Sequence, residues 1–192
     1  NLLLGLDFFV KKDYINAEKH FKKLNRISRY NLFFDEFIGN ILIAWSKAAQ
    51  LNKEESFMFL NKVPPPYRHL TQIQNIFLEC HFDLNETQKS FKKLIADEEY
   101  NFSRYNFFLI NYLLHKKEHT EINKIIKNAR EKHNSNLLLR QTESFLLKDK
   151  NIKIKNFFNC KSPKDALAEF FYVMANLYSS EKNYKISNFY LK

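Results

Sequence analysis

The stretch 162–192, SPKDALAEFFYVMANLYSSEKNYKISNFYLK, constrains the fold most, because it carries start, stop and restart signals for two helices. Ser162 can cap a helix, Pro163 suits the first helical position, and Asp165 completes an S-x-x-D box. Ala166, Phe170, Val173, Met174, Leu177 and Tyr178 then recur at three- and four-residue spacing and lay an apolar stripe along one face. A polar break at 179–183 ends that stripe, and Tyr184, Ile186, Phe189, Tyr190 and Leu191 open a second one. The connection is short, so the two helices pack antiparallel. A hairpin of about thirty residues lacks the core to fold unaided, so it must stack on others like it.

Copies are present. Leu4-Gly5-x2-Phe8 is followed by Lys11-Lys12-Asp13-Tyr14 and then by Ala17-x3-Phe21 and Leu24. Small residues at 5 and 17 let paired helices approach closely, while Phe8 and Phe21 fill the space beside them. Weaker copies keep the twelve-residue offset between the two close-contact positions: Ala44 to Ser56, Asn75 to Thr87, Ile110 to Ile122, and Ala175 to Ser187. This pattern resembles the tetratricopeptide repeat, W-x2-L-G-x2-Y then A-x3-F over roughly 34 residues, with the leading aromatic missing. The resemblance is to bacterial proteins built from such repeats. It implies an all-α fold in which antiparallel helix hairpins stack as a right-handed α–α superhelix, with a concave groove that receives a partner segment.

The chain has 192 residues, 45% of them hydrophobic and twenty of them Phe, which is ample for a core. Two Gly and four Pro argue against a loop-rich or all-β fold. The longest apolar run, 37–44, falls well short of the roughly 18 residues of a membrane span. The chain begins at Asn1 inside an apolar periodic stretch and ends within a helical one, which suggests a segment of a longer array. Cytoplasmic and periplasmic locations both remain open.

Periodicity predicts helices near 1–12, 14–27, 31–50, 54–62, 66–82, 86–97, 103–117, 120–133, 135–148, 163–180 and 184–192. Asp13, Asn52 with Glu55, Asn85 with Gln88, Ser103 and Ser135 are the expected caps. Three consecutive prolines, Pro64, Pro65 and Pro66, end one hairpin. These elements divide into repeats over 1–148, an irregular basic connection over 149–162, and a further hairpin over 163–192. The two cysteines, Cys80 and Cys160, form no spaced motif and read as buried free thiols, since sequence alone cannot argue a bond between them.

The one motif with catalytic chemistry is His115-Lys116-Lys117-Glu118-His119, which matches H-x-x-E-H, a zinc pattern that needs both imidazoles on one helix face. It falls at a polar turn between two predicted helices, where the rings would not share a face. The pairing of Cys80-His81 with His69 is a weaker metal suggestion. Phosphate-cradling and nucleophile-elbow motifs are absent, and the acidic clusters at 54–55 and 97–99 suit helix starts and turns. No catalytic residue, metal ligand or cofactor is assigned.

A net charge of +10 points toward nucleic acid or another anionic partner. Only six of the 31 cations are Arg, the residue that bidentate phosphate recognition favours, and the lysines spread over nearly every helix. The concentrated patch is Lys148, Lys150, Lys153, Lys155, Lys161 and Lys164. Paired rings such as Phe8-Phe9, Phe107-Phe108 and Phe170-Phe171 read as core between and within hairpins rather than as base-stacking platforms.

Carried onto this chain, the family's groove positions fall on Trp45, His69, Gln72, Glu79, Arg104, Asn111, Tyr172 and Asn176. The resulting expectation is a non-enzymatic scaffold that binds a protein or peptide partner. The alternative is a pentatricopeptide-like RNA binder, which needs a strict period. Here the first-helix markers Gly5, Ala44, Asn75 and Ile110 are spaced by 39, 31 and 35 residues. A third reading is a docking or regulatory domain of a longer enzyme.

Overall fold

The computed structural model describes residues 1–28, 36–98, 102–134, 136–148 and 158–192. Among these the regular structure is helical, with no strand. The α-helices in chain order are α1 (Leu2–Val10), α2 (Tyr14–Ser28), α3 (Glu36–Ala49), α4 (Lys53–Leu60), α5 (Arg68–His81), α6 (Thr87–Ala96), α7 (Ser103–Lys116), α8 (His119–Lys132), α9 (Leu137–Lys148), α10 (Pro163–Ser180) and α11 (Tyr184–Leu191). The prolines before α5 form a short 3-10 turn, Pro65–Tyr67.

Several starts follow from local chemistry. Asp13 Oδ1 accepts from the Asn16 amide, Asn52 from the Glu55 amide, and Ser162 from the Asp165 amide, so donors that lack a helical partner are satisfied. Two expected caps fail. Glu86, not Asn85, precedes α6 and gives it no side-chain cap, while Ser103 lies inside α7 with Phe102 before it. Ser135 lies outside the described residues, and its neighbour Asn136 accepts from the Leu139 amide instead.

Four helix pairs, α1/α2, α3/α4, α7/α8 and α10/α11, are joined in the same way, and the same backbone turn follows α5. Lys12, Leu51, Asp83, Lys117 and Lys182 each take a left-handed backbone, with φ between 54° and 64°. At each, the amide of the left-handed residue bonds the carbonyl three back, and the next amide bonds the carbonyl five back, as in Lys117 to Leu114 and Glu118 to Leu113. This double closure is the Schellman arrangement, which reverses the chain within a few residues. None of the five is glycine, so each carries a steric cost of roughly 1 kcal/mol that the paired hydrogen bonds and the packing offset.

Counting seven residues back from each turn gives Gly5, Ala44, Ile76, Ile110 and Ala175 as the equivalent first-helix positions. The third marker is therefore Ile76, which is buried, rather than the half-buried Asn75. At the first of these positions a Cβ on Gly5 would come within 2.4 Å of the Phe21 ring, so the absent side chain is what admits that ring. Five residues after the turns, Ala17, Ser56, Ile122 and Ser187 are buried, while the equivalent on α6, Gln88, is half-buried next to the buried Thr87.

The chain divides into two compact units. The first comprises residues 1–84 and 158–192. In it α1 packs on α2, α2 on α3, α3 on α4 and α4 on α5, while α10 lies against α3, α5 and α11. The C-terminal hairpin, expected as one more repeat beyond an irregular connection, thus joins the N-terminal hairpins. The reason is a clasp at the end of α5. Cys80 and Cys160 form a disulfide, contrary to the free thiols expected from sequence. Phe158 packs on Phe77 at 4.6 Å between ring centroids, Lys161 pairs with Asp83, and Lys161 Nζ donates to the His81 carbonyl oxygen at 3.1 Å. Ala166, Leu167, Phe170, Met174 and Ala175 of α10 are then buried in the core of this unit.

The second unit comprises residues 85–157. Here α6 packs on α7, α7 on α8, and α9 on both α7 and α8. Phe107, Phe108, Leu109, Ile110 and Leu113 of α7 are buried against Ile122, Ile125, Ile126 and Ala129 of α8. The connection expected over 149–162 lies largely outside the described residues.

Two outcomes check these features. Leu51 is 79% exposed and its side chain contributes little, so Leu51→Gly removes left-handed strain and raises stability by about 1 kcal/mol in urea denaturation. The disulfide closes a separation of 80 residues, so Cys160→Ser lowers stability by roughly 2–4 kcal/mol and makes 158–192 the first segment cut by limited proteolysis.

Candidate functional site

Trp45 is fully buried on α3, and so it cannot meet a partner as the repeat resemblance implied. Its Nε1 donates to Gln74 Oε1 at 2.6 Å, and its ring meets His81 edge to face at 5.9 Å. A lone indole with its N–H satisfied inside a core holds two helices together. Three of the other candidates in the first unit are exposed: His69 on α5, and Tyr172 and Asn176 on α10. Asn176 donates to the carbonyl oxygen of Tyr172 on its own helix. Gln72 is half-buried, and Glu79 accepts from Asn75 at 2.7 Å through Oε1, while its Oε2 is buried without a hydrogen bond. The helix that carries Tyr172 and Asn176, α10, packs against α3 and α5.

The first unit also holds its most concentrated charge internally. Glu18 on α2 accepts from Lys22 at 2.6 Å, from Lys47 at 3.1 Å and from Gln50 at 3.2 Å, and Lys47 also pairs with Glu55 at 2.5 Å. Burial pushes the Glu18 carboxyl up, and hydrogen bonds from Lys22, Gln50 and Lys47 outweigh it, leaving the group below the usual range. Every strong acceptor site on that carboxylate faces a donor, so the cluster clamps α2, α3 and α4 instead of offering a free acid or base.

In the second unit Arg104 lies over the Phe108 ring at 5.4 Å, and Asn111 donates to the carbonyl oxygen of Phe107, both on α7. The H-x-x-E-H residues straddle the left-handed turn at Lys117, so His115 ends one helix and His119 begins the next, and Glu118 accepts from Gln88. Among the described residues no three His, Cys, Asp or Glu groups come together to hold a metal ion. No described helix is long and apolar enough to cross a membrane.

Two open clefts flank α8. One, of about 460 Å³, is lined by Asn123, Ile126, Lys127, Arg130, Glu131, Asn134 and Glu143, and its Arg130 pairs with Glu143 at 3.1 Å. The other, of about 360 Å³, lies between α6 and α8 with α7 behind them. Ile95, Ala96, Ile125 and Ala129 form its apolar walls, and Lys92, Lys124, Lys132, Glu121, Asn106 and Asn128 supply its polar groups. Lys92 pairs with Glu121 at 2.6 Å, and that hydrogen bond and charge hold the Glu121 carboxyl below its ordinary range. Lys124 and Lys132 form no salt bridge among the described residues. Sequence reasoning passed over this cleft, although Lys124, Asn128 and Lys132 at four-residue spacing form one row beside the Ile125–Ala129 stripe.

Comparison with known proteins adds no further assignment: no family model, no curated protein and no solved structure matches this chain. The class that the structure defines is an all-helical protein.

His81 gives the first unit a pH dependence. Its Nε2 lies 3.2 Å from the Ala48 carbonyl oxygen, which can only accept, so this nitrogen carries the hydrogen. Burial holds its pKa below the ordinary 6.5, against the opposing pull of that hydrogen bond. The unfolded chain therefore binds the proton more readily, and this contribution to stability is present above about pH 6.5 and lost as the pH falls below it. Thermal melts of the wild type should lose stability between about pH 7 and pH 5, and His81→Gln should lose less over the same range.

Proposed function

We propose that this chain is a non-enzymatic interaction scaffold of tetratricopeptide-like hairpins, stacked within the first unit as a right-handed superhelix, that binds a protein partner. The observation that carries this reading is the use of one hairpin four times, closed each time by the same left-handed turn, which also follows α5. Repeats of this kind multiply helix faces without building a catalytic centre, and proteins use them as extended docking surfaces. Helix pairing in both units supports it, as does the satisfied state of the internal Glu18 cluster.

The left-handed turns bear on RNA recognition. They fall at residues 12, 51, 83, 117 and 182, separated by 39, 32, 34 and 65 residues. An array that reads one base per repeat needs an even step to match the nucleotide spacing. Lys161, from the concentrated basic patch, is engaged with Asp83 and the His81 carbonyl oxygen.

Fluorescence anisotropy with a labelled mixed-sequence single-stranded RNA separates the two readings. The scaffold reading expects binding weaker than about 10 µM at physiological salt, in the range of non-specific attraction. Submicromolar binding with a steep salt slope would replace it with RNA recognition.

A further inference from the structure

The geometry points to the α6–α8 cleft as a docking site for an acidic peptide segment that carries apolar side chains. The inference rests on the scaffold reading above and names the surface and the chemistry of its partner.

Three observations meet at this place. The first is shape, because the cleft of about 360 Å³ opens between two second helices with α7 closing its back. Ile95, Ala96, Ile125 and Ala129 line it, which is room for two or three aliphatic or aromatic side chains. The second is charge. Lys92, Lys124 and Lys132 meet one carboxylate, Glu121, so the cleft holds two cations in excess. Lys92 takes the carboxylate at 2.6 Å, which leaves the ammonium groups of Lys124 and Lys132 for an incoming anion. The third is arrangement. Lys124, Asn128 and Lys132 run along one row of α8, two helical turns from end to end, which suits an elongated ligand better than a single point charge.

The other cleft beside α8 lacks this imbalance, since Arg130 there is paired with Glu143 and Glu131 adds a second carboxylate against Lys127. Apolar walls argue against a purely electrostatic polyanion, for which they would contribute nothing. A segment with Leu, Ile or Phe between Asp and Glu residues uses both features. Its apolar side chains enter between α6 and α8, while its carboxylates reach the row on α8. Electrostatic attraction of this kind sets selectivity and on-rate more than raw affinity, so moderate, salt-sensitive binding is the expected behaviour.

The test is a selection of displayed random dodecapeptides on the full chain, followed by anisotropy on the enriched peptides. The expected result is peptides with acidic residues flanking apolar ones, whose affinity falls about tenfold or more in Lys124→Glu with Lys132→Glu. The same peptides should bind unchanged to the control Lys23→Glu with Lys53→Glu, which makes the same change of net charge at exposed positions of the first unit. Circular dichroism confirms that both variants keep their helices. Enriched peptides that are indifferent to the α8 pair but sensitive elsewhere overturn this site and leave the scaffold reading standing. Failure to enrich any peptide overturns both. Stronger competition by polyuridylate than by polyglutamate overturns the acidic-peptide assignment in favour of nucleic acid.

Discussion

The structure depends on the left-handed turn that closes each hairpin. At Lys12, Leu51, Asp83, Lys117 and Lys182 two backbone amides bond back into the preceding helix, so the chain reverses without a long loop. In α1/α2, α3/α4, α7/α8 and α10/α11 this reversal brings the next helix alongside its predecessor, and only then can each apolar stripe find cover. Buried small residues such as Ala17 and Ser56 mark where second helices press against first ones. The αL conformation costs free energy at every non-glycine residue, so its recurrence at Lys12, Leu51, Lys117 and Lys182 means that packing of the paired helices outweighs it at each of these hairpins.

A second constraint acts on the first unit alone. The clasp joining Cys80 to Cys160, Phe77 to Phe158 and Asp83 to Lys161 sets the C-terminal hairpin beside α3 and α5. The disulfide shrinks the set of unfolded conformations, and the aromatic and ionic contacts beside it position α10. Its buried face then completes a core that α3 and α5 could not close by themselves. Trp45 and the Glu18–Lys47 cluster belong to that interior and have structural roles.

Charge follows a different logic in the two units. In the first, strong cations such as Lys47 and Lys161 are engaged with acidic partners. In the second, the row on α8 gathers cations beside an apolar cleft with too few carboxylates to balance them. A net charge of +10 spread over a surface says little about a partner, whereas two ammonium groups that form no salt bridge among the described residues, both lining one concavity, specify a chemistry.

The sequence by itself determined the helices. Three- and four-residue apolar spacing and the caps Asp13, Asn52 and Ser162 depend on residues close in the chain, and α10 runs over the residues that its stripe and cap define. The close contact at Gly5 was legible for the same reason, since a missing side chain and a large ring at a fixed offset announce each other. The caps at Asn85 and Ser103 were misread because capping depends on the single residue before a helix begins, which is Glu86 for α6 and Phe102 for α7. Only the tertiary structure decided that Cys80 and Cys160 are bonded, that α10 returns to α3 and α5, that Trp45 is sealed inside, and that α6 and α8 frame a cationic cleft. Each of these joins residues far apart in the chain or on separate helices, and local spacing carries no information about which apolar face will meet which.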